Sequence, residues 1–248
     1  MRHSDSKLTV VGLPGAGFDH TFIEQSLSPL AETTGACLVS VDPEPGNVLD
    51  GYLSACDLAA ESGPFICVGI SIGAIAAMRW WIESRQKSHW RAIENCCGII
   101  VSMAPWSGRN YDSAPAAQAA SGTAKAISQV GFGPVREAMV KTSPLWLSEL
   151  QVPCWDRLGS NLATIMEEAS TTQAPELADL RTITCPCGLI RVLEDPLHPV
   201  SVTDSWAHAL LHCEVETISL NDIASSPTIF SNASLKLLQK LQVRKTSN

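Results

Sequence analysis

Residues 65–81, from Phe65 to Trp81, read FICVGISIGAIAAMRWW. An apolar, β-branched run meets a helix-forming run here, and Gly69-Ile70-Ser71-Ile72-Gly73 joins them with a serine flanked by glycines two residues away on either side. This G-x-S-x-G spacing has a steric reason. A turn from strand to helix that is tight enough to expose the serine hydroxyl leaves no room for side chains at the flanking positions, and it holds the serine in a strained backbone conformation. The N-terminus of the new helix then faces any negative charge that develops beside the hydroxyl. The stretch predicts a strand, a sharp elbow at Ser71 and a helix. A serine hydroxyl is a weak nucleophile until a base takes its proton, so the rest of the chain has to be searched for that base.

Outward from the elbow, the pattern alternates. Short β-branched runs lie at about 8–12, 36–41, 65–70, 97–103, 188–194 and 214–219, with helix-length segments at about 21–33, 47–61, 73–86, 200–211 and 228–242. Continuously apolar strands alternating with helices predict an α/β fold, a doubly wound, mostly parallel sheet of about six strands. The interval of about 105–180 breaks the alternation. It is rich in Ala, Ser, Gly and Trp, and its clearest helical stretches are AAQAASGTAKAISQV and NLATIMEEAS. It reads as a helical cap insertion within one domain spanning 1–248, placed to roof a site at the carboxyl ends of the strands.

These features together resemble the α/β-hydrolase superfamily, from Leu8 to about Leu241. The segment VVGLPGAGFDHTF is similar to the loop after that family's third strand, with Pro14-Gly15 where the family commonly has His-Gly. The resemblance implies an oxyanion hole made by the backbone N–H groups of Ala16 and Ile72. It also implies that the family's first two strands are missing, since only about seven residues precede the first strand. In CGLIRVLEDPLHPV, Asp195 stands at the position of the family's catalytic acid. The family's histidine follows the last strand, but here that segment reads EVETISLNDIASSPTIF and holds none.

The base has to come from the six histidines present, His3, His20, His89, His198, His208 and His212. His3 falls in a terminus, His89 in a polar stretch, and His208 and His212 on or after the helix that follows Asp195. His198 follows the strand carrying Asp195, at the same end of the sheet as Ser71. Two readings of it stand: the base, oriented by Asp195 or by Asp222 from the vacant histidine position, or a helix-entry residue between prolines that only lines the pocket. His20, beyond the oxyanion loop, is a candidate for substrate contact, as is Trp106. Trp146 and Trp155 are further candidates for an apolar pocket wall.

Other classes are weighed on the same residues. Gly15 and Gly17 after the first strand, with Asp42 ending the second, outline a dinucleotide site, but His20 stands where the third glycine belongs. Cys185-Pro-Cys187 has no second cysteine pair to complete a zinc site, so no metal is expected. The formal net charge of -8 argues against nucleic acid as a partner. No run of about 18 apolar residues predicts a membrane span. Nine cysteines, most of them in apolar runs, with no signal-peptide pattern, predict reduced thiols and a cytoplasmic location. The expected function is serine hydrolysis of a small apolar ester or thioester, without cofactor, on a small-molecule substrate. The alternatives are a non-catalytic member of the fold that binds a ligand under the cap, an interaction protein, and the dinucleotide binder.

Overall fold

The structure, a computed structural model, describes residues 7–243. The chain runs β1 (Thr9–Leu13), α1 (His20–Thr34), β2 (Cys37–Ser40), α2 (Val48–Ser62), β3 (Phe65–Ile70), α3 (Ile72–Gln86), α4 (Trp90–Asn95) and β4 (Cys96–Ser102). Then come α5 (Pro115–Val130), α6 (Phe132–Thr142), α7 (Leu145–Leu158), α8 (Leu162–Thr171) and α9 (Leu177–Leu180). The chain returns to the sheet with β5 (Cys187–Leu193), α10 (Val200–Ala209), β6 (Cys213–Ser219), α11 (Leu220–Ser225) and α12 (Ile229–Lys240).

The six strands form one parallel sheet in the order β2-β1-β3-β4-β5-β6. Successive strand side chains point to opposite faces, and the cores divide accordingly. Val11, Leu13, Phe65, Cys67, Ile99 and Leu189 pack with Tyr52, Trp80, Trp81 and Trp206 of α2, α3 and α10. Val10, Ile66, Val68, Ile100, Ile190 and Val192 pack with Phe22, Leu27, Phe230 and Leu237 of α1 and α12. Central strands buried on both faces have to be apolar throughout, and β3 is buried at all six positions.

From β1 the chain moves to one edge of the sheet through β2, then crosses to β3 on the other side of β1 and continues in that direction. The loops after β1 and β3 therefore part at a topological switch point, where open α/β sheets bind ligands. The dinucleotide-binding order is 3-2-1-4-5-6, which is not the order found here. Asp42, the acid that reading required, is instead held by His20.

The short helices α4 and α11 are not legible as separate elements in the sequence pattern. Trp80 and Trp81 are both buried, the former with its indole N–H donating to Asp57 Oδ1 at 2.8 Å. Cys185 and Cys187 are buried free thiols at the start of β5. Among the described residues no helix is long and apolar enough to cross a membrane.

Candidate active site

Ser71 sits between β3 and α3 with φ 56° and ψ -113°, in the positive-φ region that non-glycine residues rarely occupy. The flanking glycines are sterically required. A Cβ on Gly69 would lie 2.7 Å from the Ala74 nitrogen, and one on Gly73 would lie 2.7 Å from the Leu13 carbonyl carbon of β1. Both neighbours are backbone and have no freedom to withdraw. Two more strand ends carry the same strain, Met103 after β4 with φ 53° and Glu194 after β5 with φ 65°. Strained residues thus cluster at the carboxyl end of the sheet around Ser71, the pattern of a functional site.

The loop after β5 brings the expected acid and one of the candidate histidines to that serine. His198 Nε2 lies 2.9 Å from Ser71 Oγ, and His198 Nδ1 lies 2.7 Å from Asp195 Oδ2. Local turn chemistry makes this possible. Asp195 Oδ1 accepts the backbone N–H of Leu197 at 2.8 Å and of His198 at 3.3 Å, an Asx turn that folds residue 198 back over residue 195. Pro196 and Pro199 restrict the backbone on either side. The two side chains are 6% and 11% exposed, so the pair is largely out of water.

Burial pushes the Asp195 carboxyl up, but the hydrogen bond and charge of His198, with the two backbone N–H groups, outweigh it and hold the carboxyl below its usual range. An ionised Asp195 accepts the Nδ1 proton, which leaves the Nε2 lone pair facing the serine O–H. Sequence reasoning left His198 open between base and pocket lining; the geometry gives it both neighbours that a base needs.

The loop after β1 passes directly beside Ser71: a Cβ on Gly15 would lie 3.5 Å from Ser71 Cβ. The buried Tyr52 hydroxyl donates to the Pro14 carbonyl at 3.1 Å, and the Phe18 N–H donates to Gly15 O at 3.0 Å, which fixes the loop's path. Ile72 is the first residue of α3, so its N–H is one of those without an intrahelical acceptor. The N–H of Ala16 donates to no protein acceptor among the described residues. Both donors line the same cavity as Ser71 and His198.

That cavity has a volume of about 580 Å³, within the range of small-molecule sites. Its floor is the strand ends, and its walls come from α5, α6, α7 and α8. Small residues of α5, among them Ala116, Ala119 and Ala120, keep it wide, while Trp106, Trp155 and Met166 supply apolar surface. Trp106 lines this cavity, buried and with its indole N–H donating to Thr172 O at 3.1 Å. Trp146 does not line the cavity; it packs against the α1 and α12 core.

Two expected site residues lie elsewhere. His20, expected at the substrate, is the first residue of α1, and its ring Nδ1 pairs with Asp42 Oδ1 at 2.8 Å on the outside of the loop. The carboxylate at the end of β2 draws the ring away from the cavity, and its hydrogen bond raises the imidazole pKa. Asp222, expected as a possible orienting acid, closes a capping box at α11, its Oδ2 accepting Ser219 N–H at 2.7 Å and the Ser219 hydroxyl at 2.9 Å. It makes no hydrogen bond to His198. Asp195, three residues away in the chain, does that work. Of the remaining histidines, His89 precedes α4, His208 and His212 are exposed, and His3 lies outside the described residues.

One contact was not foreseen. Asp19, the N-cap of α1 and 1% exposed, receives Arg157 of α7 at 2.5 Å, Nε to Oδ2. Burial raises the Asp19 pKa, but the hydrogen bonds from Arg157 and Thr21 drive it far below the usual carboxylate range. Asp19, His20 and Asp42 place three ligand atoms within 4.8 Å of one another, a spacing that suits a metal ion. The Arg157 guanidinium already supplies the cation there.

No protein-family model and no curated protein matches the chain. Solved structures do. It aligns with a thermophilic esterase from Thermogutta terrifontis, TM-score 0.68 at 16% identity, covering 95% of this chain and 91% of that one. MenH from S. aureus aligns with TM-score 0.68 at 16% identity, covering 97% and 96%. An esterase from Exiguobacterium antarcticum aligns with TM-score 0.68 at 15% identity, covering 94% and 92%. What is shared at these identities is the architecture: this chain has the α/β-hydrolase fold.

Proposed function

We propose that the protein is a serine hydrolase that cleaves an ester or thioester of a small, largely apolar acid. The observation that carries this reading is the unbroken relay from Ser71 Oγ through His198 to Asp195, with heavy-atom separations of 2.9 and 2.7 Å. Ser71 Oγ attacks the substrate carbonyl carbon while its proton passes to His198 Nε2, and Asp195 stabilises the imidazolium that forms. The carbonyl oxygen, now negative, faces the N–H groups of Ala16 and Ile72, which are fixed before the charge develops. Collapse of the intermediate breaks the bond to the alcohol or thiol, which leaves with the proton from His198. Water, deprotonated by the same nitrogen, then releases the acid and restores Ser71.

The helices α5 to α8 act as the cap in this reading, and the apolar cavity beneath them selects a small molecule of matching polarity. The absent histidine after β6, which favoured a non-catalytic pocket, loses its force because the loop after β5 supplies a ring nitrogen. The chemistry calls on no metal or organic cofactor. The test is labelling with a fluorophosphonate probe. Wild-type protein labels and Ser71→Ala does not, and hydrolysis of p-nitrophenyl butyrate follows the same pattern. A wild-type protein that neither labels nor hydrolyses short esters overturns the reading.

A further inference from the structure

α7 turns Leu147, Gln151 and Trp155 into the cavity at four-residue intervals, so that they share one helix face. Trp155 is 4% exposed, yet its indole Nε1 has no hydrogen-bond partner among the described residues. Buried indole N–H groups ordinarily find an acceptor, because an unmade bond in an apolar setting is costly. Gly17 lies beside it. A Cβ on Gly17 would lie 3.2 Å from Met166 Cε, 3.5 Å from Trp155 Nε1 and 3.6 Å from Gln151 Nε2, so both nitrogens and the flexible Met166 methyl border one spot against the loop after β1. Gly17 follows Ala16 directly, which puts that spot only a few bonds from a carbonyl held over Ser71. Among the described residues no Lys, Arg, Asp or Glu lines the cavity. A substrate carboxylate there would be buried without a counter-ion, whereas a neutral oxygen would satisfy the waiting donors.

We propose that Trp155 and Gln151 form an acceptor-binding subsite, and that the substrate is an uncharged ester carrying a second neutral oxygen, as an ether, ketone or further ester, close to the scissile carbonyl. The proposal rests on the serine-hydrolase reading for the position of that carbonyl. Leu147 and the α5 alanines accept the apolar remainder. The small side chains of α5 leave room for a branched or cyclic body.

The experiment compares p-nitrophenyl hexanoate with esters in which an ether oxygen replaces one methylene along the acyl chain, and butyrate esters with the same replacement along the alcohol. Each rate is normalised to that ester's rate with hydroxide. At one position kcat/KM for the oxygen-containing ester exceeds that of its all-carbon partner by about tenfold, the size of one hydrogen bond to a buried donor, and Trp155→Phe brings the ratio to within about twofold of unity. If no position shows a preference, or if the preference survives in Trp155→Phe, the subsite is refuted. A second measurement needs no turnover. In ¹⁵N-labelled Ser71→Ala protein, the indole N–H signal that is missing from a Ser71→Ala/Trp155→Phe double variant shifts on adding one of the oxygen-containing esters and not on adding its all-carbon partner. A shift without hydrolysis by wild type overturns the hydrolase reading alone. Hydrolysis with neither preference nor shift overturns the subsite alone.

Discussion

A histidine serves as a base only when its two ring nitrogens face different partners, and His198 meets that condition inside a turn of four residues. Asp195 Oδ1 closes the turn through the Leu197 and His198 N–H groups, while Oδ2 takes the ring. One carboxylate thus both builds the loop and fixes the tautomer. Asparagine at 195 keeps the turn, since its side-chain oxygen still accepts from the backbone. It removes the charge that holds the proton on Nδ1, however, so the tautomer with Nε2 protonated, which cannot act as base, becomes populated. Asp195→Asn is therefore expected to lower kcat by about 10⁴-fold with KM little changed. Steady-state kinetics on a p-nitrophenyl ester measures this, and a loss of less than about tenfold would show that the ring is oriented by something other than the carboxylate. A sequence reader can place Asp195 and His198 three residues apart, but the divided use of two carboxylate oxygens depends on the turn. The misplacement of His20 has the same root: nothing in the local sequence says that Asp42, twenty-two residues on, will capture its ring.

The elbow is where an element dictates its own composition. Gly69 and Gly73 leave no space because α3 starts one residue after Ser71 and packs against β1. Alanine at 73 would press on the Leu13 backbone, which has no freedom to yield, and is expected to cost about 2–3 kcal/mol of stability as well as fluorophosphonate labelling. Gly122 in α5 provides the opposite case, with nothing within 4 Å of a Cβ and a helical backbone. Gly122→Ala is expected to stabilise by about 0.5–1 kcal/mol. Urea unfolding of both variants checks the pair, and the steric account of the elbow fails if Gly73→Ala is as stable as wild type.

This contrast also marks how far the sequence was legible. β3 and α3 stand within a residue of where periodicity predicts them, because a strand buried on both faces and a helix anchored by glycines leave strong compositional signatures. α6 and α7 were not separately legible. α7 carries Pro153 in its interior, α6 begins Phe132-Gly133-Pro134, and the apolar side chains of each are divided between the cavity and the packed cores.

At the scale of the molecule, the question of which histidine meets Ser71 depends on strand order. β3 and β5 are separated by β4, so the loop after β5 has to reach across two strand spacings, roughly 10 Å, to arrive at the serine. A second long-range tie decides how the cavity is roofed. Arg157 on α7 grips Asp19, which caps α1 at the end of the loop after β1, so the helix bearing Gln151 and Trp155 is fastened to the same short segment that carries Ala16 and Gly17. The carboxyl of Asp19 is held far below its usual range, which makes this tie acid-sensitive with a definite sign. A group whose folded-state pKa is depressed contributes stability that is fully present above the unfolded value, near 3.9, and that disappears as pH falls toward the folded value. Asp19→Asn isolates the charge, because asparagine is as good an N-cap as aspartate. The variant is expected to be less stable than wild type at pH 7. Below about pH 4 the difference should shrink by up to about 1.4 kcal/mol per pH unit, as the unfolded wild-type chain takes up the proton that the folded one refuses. Chemical unfolding of both proteins from pH 7 to pH 3 measures this, and a difference that stays constant across the range would mean that the Arg157 contact holds the cap by packing alone. If the charge is what holds α7 down, KM for the preferred ester rises in Asp19→Asn more than kcat falls, since Ser71 stands at the elbow after β3 and Asp195 and His198 in the loop after β5, none of which the loosened helix carries.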